Sequence, residues 1–226
     1  MLQPENQPKK YQHLFTGIDT GKIRIPQFQR DFVWSKQQTA KLIDSIIKGF
    51  PIGTFILWET TDSMRTYRNI GNADLPEPRP GDRVQYVLDG QQRITSLYAV
   101  QKGLIQTLDN KEIDYKDICI NLDVDPEEDP DGEIIVDEEL EGVACLSVYE
   151  LLNGQVMDFA ERFTDRTHLG RIDTYRSRLT GYDFSTILMP EYPIDVACEV
   201  FTRINTGGTN LSLFEIMVAK TYDLDR

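Results

Sequence analysis

Apolar and polar positions alternate along this chain in two rhythms, and the changes between them mark out the elements. Residues 1–22 are mostly polar, with a short apolar turn at Leu14, Phe15 and Ile18. Ile23–Pro26 is expected to be extended, because a residue that precedes proline is pushed towards β or polyproline geometry. Ser35 opens a helix with Gln38 three residues on as capping-box partner. Leu42, Ile43, Ile46 and Ile47 form its apolar face, and Gly49 with Pro51 ends it. Thr54–Trp58 is a continuous apolar run of the kind found centrally in a sheet.

Residues 60–83 carry Pro76, Pro78 and Pro80 and read as a surface excursion. Val84–Leu88 is a second buried strand, Asp89–Arg93 a turn, and Ile94–Lys102 a helix stopped by Gly103. Asp117–Val124 is a third strand. Helical spacing returns over Val148–Phe163 and Leu169–Leu179, and Asp183–Met189 is a further strand. Val196, Ala197, Val200, Phe201 and Ile204 share one helical stripe, which Asn205-Thr206-Gly207-Gly208 breaks. Ser212 and Glu215 cap a last helix over 212–226, apolar enough to predict packing against a further domain or self-association. The pattern predicts a mixed α/β (α+β) domain, a small sheet with surrounding helices.

Composition narrows the class. The chain has 226 residues, 40% hydrophobic and 10% aromatic, enough for one sizeable core. No apolar run approaches the roughly 20 residues that span a bilayer, and no secretory signal is visible, so no membrane partner is expected. Three widely spaced cysteines, Cys119, Cys145 and Cys198, fit neither a metal site nor a disulfide framework, and a reducing, cytoplasmic setting is expected. The net charge of −13 is concentrated: Asp117 to Glu161 holds 15 acidic residues and no Lys or Arg. That leaves 22 acidic residues elsewhere to face all 24 basic ones, so no strongly basic DNA-binding face is expected.

Three stretches carry candidate chemistry. In Val84-Gln85-Tyr86-Val87-Leu88-Asp89-Gly90-Gln91-Gln92-Arg93 a buried strand runs into a glycine turn and then a helix. The N–H groups and dipole of a helix start attract anions, Gly90 allows close approach, and Arg93 offers a fork of donors. Asp89 with Gln92 as a simple N-cap pair accounts for the same residues, and both readings stay open. In Ile25-Pro26-Gln27-Phe28-Gln29-Arg30-Asp31-Phe32-Val33-Trp34, the aromatic residues anchor a stiff segment that presents Gln29 and Arg30. A second arginine aimed at the same phosphate, or an ordinary strand edge, both fit. In the third, Phe201 to Ser212, Asn205 offers a donor and an acceptor, and paired glycines also suit a plain helix-to-helix turn.

Two apparent motifs are set aside. Gly17-Ile18-Asp19-Thr20-Gly21-Lys22 is one residue short of a P-loop and lacks its magnesium-binding hydroxyl. Glu127 to Glu138 nearly fits a calcium loop, but a Pro-Asp-Gly turn between two strands, solvated, explains it more simply. His13 and His168 are the only histidines, which argues against a histidine-metal nuclease centre.

Together the three stretches resemble the N-terminal domain family of GmrSD-type modification-dependent restriction endonucleases, whose fold is similar to the ParB and sulfiredoxin group. The resemblance covers Ile23 to about Lys220, within a domain read as 23–220 that carries an acidic insert at about 125–142. It implies a nucleotide-binding, NTP-hydrolysing module of a phage-defence system, partnered with an HNH-type nuclease domain or subunit and meeting DNA indirectly. Carried onto this sequence, Asp89, Gly90, Gln91, Gln92 and Arg93 serve phosphate contact and hydrolysis, with Gln29, Arg30 and Asn205 from the other stretches. Arg93 and Arg30 would clamp a nucleoside triphosphate, and Asp89 would hold Mg²⁺ (or Mn²⁺) or orient water. Trp34 would stack on a base. A homo-oligomer is a further expected partner state, and a stand-alone ParB-like DNA nuclease and a non-catalytic binding or dimerisation module are the alternatives.

Overall fold

A computed structural model describes residues 3–204 apart from 27, 28, 30, 62–66, 69, 80, 109 and 110. The architecture is mixed α/β. Strands β1 (Glu5–Asn6) and β2 (Lys9–Lys10) lead into helix α1 (Tyr11–Asp19), β3 (Ile23–Pro26) and α2 (Lys36–Ile47). Then come β4 (Phe55–Thr60), β5 (Tyr67–Arg68), β6 (Val84–Asp89) and α3 (Gln91–Lys102). β7 (Ile105–Leu108), β8 (Lys111–Asp114), β9 (Cys119–Asn121), β10 (Ile135–Val136) and β11 (Cys145–Ser147) precede α4 (Val148–Asn153), α5 (Val156–Arg162) and α6 (Arg166–Thr180). β12 (Asp183–Phe184), β13 (Thr186–Pro190) and α7 (Ile194–Ile204) complete the order. The chain divides into two interleaved units, one of Met1–Phe32, Gly53–Gln91 and Asp183–Arg226, the other of Val33–Ile52 and Gln92–Tyr182.

The first unit is built on a six-stranded sheet in the order β1-β13-β4-β6-β3-β5. β13 runs parallel to β4, and β3 runs parallel to β6. The two parallel pairs meet where β4 and β6 run antiparallel. β4 and β6 are nearly continuous apolar runs because the sheet is covered: Trp58, Tyr86, Leu88 and Met189 pack with Ala197 and Phe201 of α7. The Trp58 indole N–H donates to the Tyr192 carbonyl at 2.8 Å, which satisfies the one polar group of a fully buried ring.

Residues 11–19 exceed the short apolar turn expected of them. Tyr11, Leu14, Phe15 and Ile18 lie one helical turn apart, and all four are buried on one face of α1. The excursion is also tied down at Pro76. Arg24 is fully buried on β3, and its guanidinium donates to the carbonyls of Gly21 and Pro76.

In the second unit the predicted capping box stands at the start of α2. Ser35 Oγ accepts from Gln38 N at 3.2 Å while Ser35 N donates to Gln38 Oε1 at 2.9 Å. The helix expected over 148–163 is two helices. Gly154 is extended between them, and a side chain on it would fall 2.7 Å from the Glu150 carbonyl and 2.8 Å from the Phe159 ring, so the position suits glycine. The strand expected over 117–124 shortens to β9, since the Asp114 carboxylate caps a 3-10 turn at Tyr115–Asp117 by accepting from Lys116 N.

β10 and β11 flank β9, both antiparallel, so the acidic stretch does connect two paired strands. It is not a solvated hairpin throughout. Ile134 and Ile135 are buried, and Asp44 on α2 accepts from their N–H groups at 2.9 and 3.3 Å. Lys48, one turn on, pairs with Asp44 at 2.9 Å and donates to the Gly132 carbonyl. Asp44 and the C-cap residue Lys48 thus fasten the middle of the acidic segment.

Candidate functional site

β3 and β6 are adjacent and parallel, with Arg24 opposite Tyr86, so they end side by side two to three residues further on. The first stretch leaves the end of one strand and the Asp89 turn leaves the end of the other. Ligands gather at the carboxyl ends of parallel strands, because the chain turns there into loops and helix starts that carry unpaired N–H groups.

The end of β6 is irregular in a specific way. Its register with β4 pairs Leu57 with Val87 but Ile56 with Asp89, so Leu88 is the extra residue of a β-bulge. A bulge bends its strand and re-aims the residues after it. Gly90 comes next with φ +93°, a conformation that a side chain opposes. α3 begins at once at Gln91, so Gln91, Gln92 and Arg93, expected as part of a turn, form the first turn of the helix.

Gln29 is buried, and its side-chain amide donates to the carbonyls of Val87 at 3.0 Å and Leu88 at 2.9 Å. The first stretch is therefore hydrogen-bonded to the strand end that precedes Asp89. Gln29 is itself placed by a tight turn, its N–H donating to the Pro26 carbonyl at 3.1 Å. Asp89 is partly buried, and Gly90 and Gln91 are buried.

In the second unit, Gln92 is buried and its Oε1 accepts from Val33 N at 2.9 Å. Arg93 is partly buried, with Nη1 donating to the Ile52 carbonyl at 2.6 Å. Trp34 is partly buried. Arg30, Asn205 and the helix expected from Ser212 lie outside the described residues.

Sequence reasoning named Gln29 but not its partners, which are main-chain carbonyls, and it missed the bulge. The only trace of the bulge in the sequence is the run Tyr86-Val87-Leu88, three buried residues in succession where a regular strand alternates. The described residues contain no group of three or more His, Cys, Asp or Glu side chains that could hold a metal ion. Asp89 is the carboxylate at this turn, partly buried just after the bulge. No helix among the described residues is long and apolar enough to cross a membrane.

The family model for the GmrSD restriction endonuclease N-terminal domain matches residues 11–222. The chain belongs to this family. The match opens at the first residue of α1, and it takes in all three stretches read from the sequence. The chain is also similar to the uncharacterized protein MJ0686 of Methanocaldococcus jannaschii, 26% identical over 237 residues that cover 89% of this chain and 39% of that protein. The chain thus spans well under half the length of this curated relative.

Proposed function

We propose that this GmrSD N-terminal domain is a nucleotide-binding, NTP-hydrolysing sensor module that regulates a partner HNH-type nuclease in phage defence. The observation that carries the reading is the end of β6: bulge, positive-φ glycine and helix start in four consecutive residues, beside the end of a parallel strand. The N–H groups of Gly90 and Gln91 and the positive end of α3 receive phosphate oxygens, which removes the need for bulk water to solvate their charge. Arg93 adds a charge-assisted donor, and its anchored Nη1 limits the orientations that the guanidinium samples. Arg30 joins it on the same phosphates and Asn205 contributes from the third stretch.

Asp89 would hold Mg²⁺, which typically takes one or two carboxylates and would neutralise charge on the phosphates. The rest of the work is positioning: phosphoryl transfer needs an aligned water and a fixed triphosphate more than covalent chemistry. Gln92, fixed through its Oε1 by Val33 N, keeps the first turn of α3 in place.

The same two hydrogen bonds favour one other reading. Gln92 to Val33 and Arg93 to Ile52 are the bonds of residues that build a fold, and a non-catalytic nucleotide-binding module needs no more. Calorimetry with nucleoside triphosphates, with and without Mg²⁺, and phosphate release separate the two. Arg93→Ala is expected to weaken binding about tenfold to a hundredfold, the worth of one charge-assisted hydrogen bond. Asp89→Asn is expected to keep most binding and lose Mg²⁺-dependent hydrolysis. Wild-type binding with no phosphate release selects the non-catalytic module, and folded Arg93→Ala that binds like wild type ends the phosphate reading.

A further inference from the structure

The geometry points to Gln29 as a positioning residue: its side-chain amide clamps the β-bulge at Leu88 and so sets the direction in which Asp89, Gly90 and the start of α3 face. This rests on the reading of the Asp89 turn as a phosphate site, and it moves Gln29 from direct phosphate contact to the structure behind that contact.

A bulge leaves one residue of its strand out of the ladder, and main-chain groups beside it lose their regular partners. Such groups are costly when buried and unbonded. Here Val87 and Leu88 are fully buried, and the carbonyls of both accept from one nitrogen, Gln29 Nε2, at 3.0 and 2.9 Å. A primary amide carries two N–H donors, and two donors for two acceptors is a complete match. Among the side chains only Gln and the shorter Asn offer two such donors on one uncharged nitrogen. Both N–H groups of Gln29 are then engaged with the strand end, so the amide nitrogen has no donor left for a phosphate.

The clamp also has a fixed origin. Pro26 ends β3, and Gln29 N donates back to its carbonyl, so the clamp stands on the neighbouring parallel strand. Rotation of the Val87 and Leu88 peptides would swing Asp89, the next residue, and Gly90 beyond it. Gln29 therefore acts on the ligand only through the turn.

The test uses the whole chain, with Gln29→Leu and Gln29→Glu, and reads backbone amide signals by NMR without nucleotide. It pairs these with calorimetric titration of ATP, GTP, CTP and UTP in Mg²⁺. In Gln29→Glu at about pH 8 the introduced carboxylate offers no donor and faces two carbonyls. The amide signals of Leu88 to Gln91 should move in the free protein, and affinity should fall about tenfold. Lowering the pH to about 5 protonates a carboxyl held against two acceptors and returns one O–H donor. The free-protein signals should then move back towards wild type, a rescue that lost packing does not produce. Gln29→Leu should shift the same signals at every pH.

If both variants leave the free-protein signals of Leu88 to Gln91 in place while affinity falls, Gln29 touches the ligand and the clamp is refuted. Displaced signals with unchanged affinity refute the link from turn to ligand. A wild-type chain that binds none of the four nucleotides ends the phosphate reading alone, and the free-protein spectra still decide whether Gln29 sets the turn.

Discussion

Replacing Asp44 with alanine takes away a carboxylate that three groups of the second unit share. Its Oδ1 accepts from Ile134 N at 2.9 Å and from Ile135 N at 3.3 Å, and its Oδ2 lies 2.9 Å from Lys48 Nζ. The side chains of Asp44 and Lys48 are only 16% and 10% exposed, so water replaces little of what is lost. A hydrogen bond to a charged group is worth about 1.5–3 kcal/mol, and the short bond to Ile134 qualifies. The longer one to Ile135 adds a fraction of that. Lys48 keeps its bond to the Gly132 carbonyl but loses its counter-ion, and breaking a buried pair costs up to about 3–5 kcal/mol. Because the groups share one carboxylate, these losses overlap, and about 2–4 kcal/mol in total is expected. Urea unfolding measures it, with the m-value showing whether the transition stays two-state. Asp44→Asn keeps one acceptor oxygen and should recover about half of the loss. Hydrogen exchange gives the local signature, with the Ile134 and Ile135 amides speeding up first. A loss under about 0.5 kcal/mol, or unchanged exchange at both amides, refutes the claim that this residue fastens the acidic segment.

Gly90→Ala should destabilise the fold by about 1–3 kcal/mol, because φ +93° is strained for an L residue, and should weaken triphosphate binding further than that strain explains. Denaturation and calorimetry on the same preparation separate the two effects. Ser35→Ala should cost about 1 kcal/mol in urea unfolding through loss of the capping box. The Asp123 carboxyl is held below its ordinary range by the Ala144 N–H and then by His168, and that of Asp125 by the Glu127 N–H and then by Arg171. Depressed carboxyls stabilise the fold above the unfolded pKa of about 3.9 and cease to as pH falls through the folded values. The double variant Asp123→Asn, Asp125→Asn should therefore show a shallower loss of urea midpoint below about pH 4. Burial, and then Cys145, push the Cys119 thiol up to about 12, so at about pH 8 it should ignore a disulfide reagent until the chain unfolds.

What could be read from the sequence was whatever burial imposes on side-chain order. β3, β4, β6 and the α2 capping box come from apolar runs and from Ser35 with Gln38, because period and cap are local properties. α1 was equally legible in Tyr11, Leu14, Phe15 and Ile18, but Gln12, His13 and Gly17 dilute its stripe. The features that shape the site are of another kind. A bulge at Leu88 changes no residue type, so Tyr86-Val87-Leu88 reads the same with or without it. Gln29 and Arg24 spend their donors on carbonyls of Val87, Leu88, Gly21 and Pro76, and a sequence does not name the backbone groups that a side chain will find. The middle of the acidic stretch misled for the same reason: charge suggested solvation, while Asp44 and Lys48, some ninety residues earlier, hold Gly132, Ile134 and Ile135.

The strand order has a consequence for how the chain is made. β13 sits between β1 and β4, yet among the described residues it is the last strand of the sheet to leave the ribosome. β4 and β6 can pair as soon as residue 89 emerges, but the other edge of β4 waits for residues 186–190. At roughly 5–20 residues per second, that interval of about a hundred residues lasts on the order of 5–20 s. Throughout it, Phe55-Ile56-Leu57-Trp58 presents an open ladder edge with high β propensity and no charge, the profile of a segment that pairs with the wrong neighbour. Yield in a heterologous host should therefore depend on chaperone supply and temperature more than on the stability of the finished fold.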